Sequence, residues 1–437
     1  MRLVKYLHFL LSSLLFLLTW FVFVKTNRIH YDARYNWYVY AMYAAISYIF
    51  SRTYNSYLVG YSKPSDIAFS QSITCLLSTG AVYASVLIVW NKWYLPTPFL
   101  CVQPLMWLFN SLWAKAADRY YFHLNPPMKT AVIYRDEADR RRLKELSRYT
   151  RNFAMEKELC ASPGLTIEEV IGFLKDCDAV FVTGVPATLR NGIAKYCVEM
   201  HIQGYFIPHV GYVIMAVSGH VQSFSVPLLA IRSGSAPEYL LVKRLMDLLI
   251  CAAALVVLSP VLLLTAIAIK LEDGGPVFYR QIRLTKGGKE FSIIKFRSMG
   301  VDAEKDGVAR LASEKDSRIT RVGRFIRATR IDELPQLINV LRGDMTIVGP
   351  RPERPQIASE YEKALPAFRL RLQVRAGLTG YAQVYGKYNT DPVDKLLFYL
   401  MYINHMNLIT DLQLMFATVK ILFMHDSTQG VAEGQLT

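Results

Sequence analysis

Glutamate is missing from the first 136 residues of this 437-residue chain; Glu137 is the first. Residues 1–128 hold only 3 of the 35 acidic residues and 10 of the 50 Lys/Arg. A water-exposed domain of that size has no physical reason to avoid Glu, whereas a membrane domain does, because carboxylates are costly in hydrocarbon. Six cysteines form no Cys-x-x-Cys pair, and eight histidines show no metal-ligand spacing. That removes the disulfide-scaffold and zinc-site classes and leaves reduced, mostly buried thiols. Hydrophobic residues make up 52%, which excludes a disordered or collagen-like chain.

What is present agrees with the absences. Residues 6–24, 35–51, 67–91 and 93–114 contain no Asp, Glu, Lys or Arg, and ~20 apolar residues cross a bilayer. Pro96, Pro98 and Pro104 put the fourth helix start near Phe99. Trp37, Tyr40, Trp90, Trp93 and Tyr94 crowd the run ends, as rings do at headgroup level. The first run is long for a cleaved signal peptide and no small-residue cleavage site follows. Four spans return the chain to its starting side. Arg2, Lys5, Lys115, Arg119 and Lys129 then place both ends in the cytoplasm, although Lys25, Arg28 and Arg34 weaken the bias.

Residues 129–238 read as a small soluble α/β domain. Strands are expected at Thr130–Tyr134, Ala179–Gly184, Ile202–Pro208 and Tyr212–Val217, with helices at about Glu137–Thr150 and Ala187–Met200. The alternation suggests a parallel, Rossmann-like sheet. No Gly-x-Gly-x-x-Gly follows the first strand, so nucleotide binding has no support there.

Leu248–Ile269 is another uncharged run of spanning length, with Ser259-Pro260 at its centre. Lys243 and Arg244 precede it; Lys270, Arg280 and Arg283 follow. Two readings stand: an ordinary kinked span, or a helix–break–helix that enters and leaves on one side.

The chemistry-bearing residues gather in 271–390. Arg318, Arg321, Arg324, Arg327 and Arg330 recur with period three, and no acid lies between Ser317 and Ile331. Such a stripe suits phosphate, whether on a substrate or on lipid headgroups. A nucleic acid is disfavoured for a membrane-embedded chain. Asp332-Glu333-Leu-Pro335-Gln336 follows directly. Asp332 and Glu333 fit a helix N-cap and first-turn acid before Pro335. On spacing alone that capping reading is favoured; the alternative is a nucleophile kept ionised by arginines and a carboxylate that holds a divalent cation. The stretches 295–299, 343–352 and 375–380 are turn-rich, and Gly349-Pro-Arg351-Pro352 mounts Arg351 on a rigid loop.

Read in order, the stretches from about 240 to 425 resemble the bacterial sugar transferases, the monotopic polyprenyl-phosphate phosphoglycosyl transferases. The resemblance rests on Lys243-Arg-x-x-Asp247, Gly275-Pro-Val-Phe278, Gln281-x-Arg283, Lys295–Met299, Asp332–Gln336, Asn339, Gly343–Met345 and Gly349–Pro352. The four-span front and Rossmann-like middle look like the large subgroup, which acts on UDP-glucose or UDP-galactose. The resemblance implies a UDP-sugar and undecaprenyl phosphate as substrates. Asp332 matches the nucleophile that forms a phosphosugar ester with release of UMP, Glu333 the Mg2+ ligand, and Arg327 the arginine associated with lipid phosphate. Lys295, Arg297, Arg351, Arg321 and Gln336 become substrate-contact candidates. Ser259-Pro260 matches the re-entrant break of a hairpin at 243–270. The inner membrane of a bacterium follows as the location, with the catalytic domain on the cytoplasmic face and pairing into a homodimer through the soluble parts.

The expected architecture is therefore a four-span membrane domain (1–128), a Rossmann-like domain (129–238), a mostly α monotopic catalytic domain (239–425) and a polar tail (426–437). Residues 391–424 read as interfacial or core helices. Arg330, Ala376 and Tyr381 depart from the family's usual residues. A non-catalytic scaffold of polysaccharide assembly is the alternative, disfavoured because Asp332 and Glu333 are both present.

Overall fold

The structure, a computed structural model, describes residues 1–30, 34–148, 151–162, 164–216, 219–221, 228–230, 236–301, 318–386 and 391–422. The expected polar tail lies outside them. The chain divides into two units, Met1–Pro208 and His209–Thr437.

The first unit opens with four helices: α1 (Arg2–Thr26), α2 (Arg34–Thr53), α3 (Pro64–Trp90) and α4 (Thr97–Leu124). By length and apolarity, α1 and α3 are able to cross a membrane. Their core is aromatic, with Phe16, Trp20, Phe23, Tyr43 and Phe99 buried together. Then follow β1 (Met128–Tyr134), α5 (Glu137–Arg148), β2 (Phe153–Cys160), α6 (Ile167–Leu174), β3 (Ala179–Val182), α7 (Ala187–Glu199) and β4 (Gln203–Phe206). The strands form one parallel sheet in the order β2-β1-β3-β4. β3 is buried at all four positions, as a central parallel strand should be. β2 escapes the sequence reading because its alternating charges look helical; it is the exposed edge. A capping box between Thr166 and Glu169 starts α6.

The second unit holds α8 (Val210–Ala216), the β5 (Gly219–Val221) and β6 (Leu228–Ala230) pair, α9 (Pro237–Asp273), β7 (Phe278–Leu284), β8 (Glu290–Phe296), α10 (Arg321–Ala328), α11 (Gln336–Arg342), β9 (Met345–Val348), α12 (Pro355–Ala364), β10 (Ala376–Thr379), α13 (Tyr381–Tyr385), α14 (Pro392–Asn404) and α15 (Leu408–Leu422). β7 and β8 form an antiparallel hairpin, and β9 and β10 a short parallel pair.

Several expectations are corrected here. Tyr212–Val217 is read as a strand, but its described residues, 212–216, lie in helix α8. Val213 packs in the core of the second unit, and its carbonyl accepts from Asn404 of α14, so tertiary contact overrides β propensity. Helix α8 accordingly belongs to the unit that begins at His209. α14 is a core helix, since Leu396, Tyr399, Leu400 and Tyr402 are almost fully buried. The arginine ladder is not one stripe: α10 ends at Ala328, and Arg330 is left-handed at φ 58°.

The helix–break–helix is also revised. α9 is a single 37-residue helix with Pro260 inside it. Proline removes the donor for the carbonyl four residues back, which is that of Val256. Ser259 Oγ donates to Val256 O at 2.7 Å and supplies the missing bond. Both ends of α9 dock on the second unit through Lys243, Asp247, Cys251, Thr265 and Ile269, while Val256, Val257, Leu263 and Leu264 stay exposed.

Candidate active site

Three staples at the start of α9 set the frame. Lys243 pairs with Asp411 of α15 at 2.8 Å, both deeply buried, and Asp411 also accepts from Tyr239 and Tyr402. Arg244 donates to the carbonyls of Val340 and Leu341 at the end of α11, where a cation meets the negative end of the helix. Asp247 accepts from Thr346 Oγ1 and the Ile347 N–H of β9. The Lys243-Arg-x-x-Asp247 motif is thus architectural. Asp411 gave no signal in the sequence beyond being a lone acid in an apolar stretch.

Asn339 of α11, fully buried, ties that helix to β8. Its Oδ1 accepts the Ile294 N–H, and its Nδ2 donates to Ser292 O and Asp344 Oδ2. The clamp holds Lys295, the next residue of β8, opposite the segment that precedes α11. That segment is a single 3-10 turn, Ile331–Glu333. α11 begins at Gln336 with Pro335 at its N-cap and no side-chain cap, so the capping role open for Asp332 is not the one observed. Arg351 reaches the same place from the loop after β9. Gly377 permits this: its N–H donates to Pro350 O, and a Cβ there would lie 2.1 Å from Gly349 N.

Lys295 Nζ donates to Glu333 Oε1 at 2.8 Å, and Arg351 Nη2 approaches the same oxygen at 3.3 Å. Asp332 lies half-buried beside them. Burial, then the charge of Glu333, pushes the Asp332 carboxyl up to about 6, against the pull of Lys295, Arg327 and Arg330. Glu333 moves the other way. Burial opposes its ionisation, but Lys295, Arg351 and Arg330 outweigh that and hold it well below the ordinary range. Arg351 is held well above its ordinary value by Glu333. Adjacent carboxylates driven apart in this manner take different chemical roles.

Of the residues singled out from the sequence, the structure gathers Asp332, Glu333, Lys295, Arg327, Arg351 and Gln336. Two stand apart. Arg297 is buried and forms a bidentate pair with Asp273, with a further bond to Pro276 O, which fixes the end of α9 to β8. Arg321 is exposed at the start of α10, its backbone N–H donating to Glu272. Arg283, noticed as a basic flank and within a motif but not as a site candidate, lines the cavity beside Glu333.

A carboxylate pair ringed by cations, on a unit whose apolar helix is long enough to cross a membrane, defines a membrane protein built to handle phosphate. The chain belongs to the bacterial sugar transferase family, whose profile matches residues 238–425. It is 42% identical over 190 residues to the UDP-N-acetylgalactosamine-undecaprenyl-phosphate N-acetylgalactosaminephosphotransferase of Aeromonas hydrophila, covering 43% of this chain and 45% of that one. It is 41% identical over 211 residues to the UDP-glucose:undecaprenyl-phosphate glucose-1-phosphate transferase of Caulobacter vibrioides, covering 46% and 79%. With the Escherichia coli protein of that same description it shares 42% over 184 residues, covering 41% and 39%. The match thus spans less than half the length of the Aeromonas and Escherichia relatives.

Proposed function

We propose that this protein transfers a sugar 1-phosphate from a UDP-sugar to undecaprenyl phosphate and so initiates a surface polysaccharide. The observation that carries this is the Asp332–Glu333 pair among four cations: Lys295 and Arg330 act on both carboxylates, Arg327 on Asp332 and Arg351 on Glu333. Asp332 attacks the β-phosphorus, UMP leaves, and the lipid phosphate then takes the phosphosugar from the aspartyl ester. Both partners are anionic, so fixed cations lower the cost of bringing them together. Glucose, galactose and N-acetylgalactosamine are the sugars to compare.

Mg2+ fits the residues present. Among the described residues no group of three or more His, Cys, Asp or Glu could cage a metal. Magnesium needs no such cage, since one or two carboxylates with substrate phosphates and waters suffice. Glu333 would hold it through the oxygen that Lys295 and Arg351 do not share. When bound, the ion neutralises phosphate charge.

We read α1–α4 as four spans and the sheet unit as a Rossmann-like domain. Because both ends of α9 are fastened to one unit, its exposed apolar middle enters the membrane and returns on the same side. The basic flanks of the first and fourth helices favour the cytoplasmic face. Two chains pairing through their soluble parts follows from family resemblance alone.

The test is incubation of membranes carrying the full chain with each UDP-sugar and Mg2+, scoring UMP and lipid-linked product. Mass analysis then seeks a sugar-phosphate adduct on Asp332 when acceptor is withheld. No UMP from any UDP-sugar defeats the proposal, and an adduct elsewhere removes Asp332 as nucleophile.

A further inference from the structure

We infer that the cavity beside Glu333 seats the departing nucleotide phosphate, and that Arg283 and Gln336 are the residues that hold it. This rests on the transferase reading above.

The polar side chains lining this cavity are donors, apart from Glu333: Arg283, Lys295, Gln336 and Arg351. Arg283 Nε and Gln336 Nε2 are both buried and have no hydrogen-bond partner among the described residues. Gln336 is only 3% exposed. A buried donor without an acceptor costs about 1–3 kcal/mol. Two side chains with such a donor line this one cavity, beside two cations that already share a single carboxylate oxygen, and the site favours an anion. Burial, then the nearby Arg351 against the pull of Glu353, brings the Arg283 guanidinium down to about 10. The other two bonds of Arg283 fix its plane: Nη1 donates to Pro352 O at 3.0 Å and Nη2 to Gln281 Oε1 at 2.7 Å.

Which anion follows from the layout. Asp332 does not line the cavity. Lys295, then Arg327 and Arg330, pull on its carboxyl; the two arginines come from α10 and the residue before the 3-10 turn, and Arg327 acts on Asp332 without acting on Glu333. α10 packs through Ile326 on the apolar end of α9 at Ile269, so it adjoins the membrane helix. Arg283, Lys295 and Arg351 come instead from β7, β8 and the loop after β9. The phosphorus under attack lies at Asp332. The phosphate one bond further along the substrate reaches past Glu333.

The chemistry agrees. A carboxylate oxygen of Asp332 forms a bond to the β-phosphorus, and the bond from that phosphorus to the bridging oxygen breaks. The electron pair stays on that oxygen, and UMP departs as a dianion with no proton required. The leaving phosphate gains one negative charge during the step. Donors aimed at it bind the transition state more tightly than the substrate. The second half-reaction has no such leaving group.

The test uses the full chain in nanodiscs. In Arg283→Gln, UMP release in the first half-reaction falls about 10²-fold, the usual loss for one oxyanion donor. The KM for undecaprenyl phosphate stays within about twofold. UMP binding weakens in parallel, and Arg283→Lys recovers part of both. Gln336→Met shows the same split to a smaller degree. A folded Arg283→Gln protein with unchanged UMP affinity and release rate overturns the inference. So does a raised acceptor KM with normal UMP release, which gives the cavity to the lipid phosphate. Where Arg283→Gln fails to fold, Arg283→Lys and Gln336→Met decide by the same readouts. Wild-type protein that turns over no UDP-sugar defeats the transferase reading and this inference with it, a result distinct from normal turnover with unchanged UMP affinity in Arg283→Gln, which overturns this inference alone.

Discussion

Replacing Asp332 by Asn abolishes turnover and makes the protein more stable. Burial and the charge of Glu333 raise the Asp332 carboxyl from an ordinary 3.8 to about 6. Over roughly that window the folded chain keeps a proton that the unfolded chain has lost. Stability therefore falls as pH rises through the window, and above it the ionised side chain carries the full penalty. The interval corresponds to at most about 3 kcal/mol. Part of it belongs to the interaction with Glu333, and Asp332 is not fully buried, so about 1–3 kcal/mol is expected. For a unit of this size 1 kcal/mol moves Tm by about 2–4 °C. Asp332→Asn, neutral at every pH, unfolds several degrees above wild type at pH 8. The gain shrinks to nothing near pH 4, where wild-type Asp332 is itself neutral. The assay is thermal unfolding of the detergent-solubilised full chain across that range. Equal Tm at pH 8, or a gain that persists at pH 4, refutes the electrostatic account even if activity is lost.

Three further outcomes are expected. Lys295→Met removes a charge that favours ionised Asp332, so the acid limb of UMP release moves to higher pH, by about 0.5–1; an unmoved limb means Asp332 does not set it. Asp411→Ala leaves Lys243 buried without its partner and costs about 3–5 kcal/mol, whereas Lys243→Met with Asp411→Leu recovers most of the loss in Tm; equal destabilisation by single and double changes argues against the pair. Ser259→Ala costs about 1 kcal/mol while Pro260 is present and close to nothing in a Pro260→Ala background, where a backbone N–H again serves the Val256 carbonyl; additive effects rule out the substitution of one donor for the other.

The dyad and its cations were legible because the chemistry demands particular side chains at fixed spacing, and Asp332-Glu333 after an acid-free basic stretch satisfies that demand. The N-terminal helices were legible because each of α1–α4 takes up most of a run without charged residues. What escaped was set by contacts distant in sequence. Arg297 resembles any other phosphate-seeking arginine until Asp273 is brought to it across the β7–β8 hairpin. α14 shows the amphipathic spacing of an interfacial helix, and only the arrival of Phe368, Val348 and α8 makes it core. α8 carries strand-favouring residues and becomes helical against α14. Ser259-Pro260 was identified as a pair, but not the local bond between its effects: the serine donates to the carbonyl that the proline leaves without a donor.

The buried charges of the second unit divide by how fully they are satisfied. Lys243, Asp411, Tyr239 and Tyr402 form a closed set in which each Asp411 oxygen accepts from a neighbour. Together with Asp247 this set pins β9 at Thr346, Ile347 and Val348, three consecutive residues. Three positions further on, Arg351 meets Glu333. The site itself is left unbalanced, with Asp332 pushed up, Arg283 pushed down and two donors unmatched. A closed network tolerates no visitor; an open one is stabilised by a ligand that supplies what is missing. The same membrane helix carries Lys243 and Asp247 at one end and Asp273 at the other. Rigid anchoring of α9 thus fixes the strand and hairpin that carry Arg351, Lys295 and Arg283 to the site.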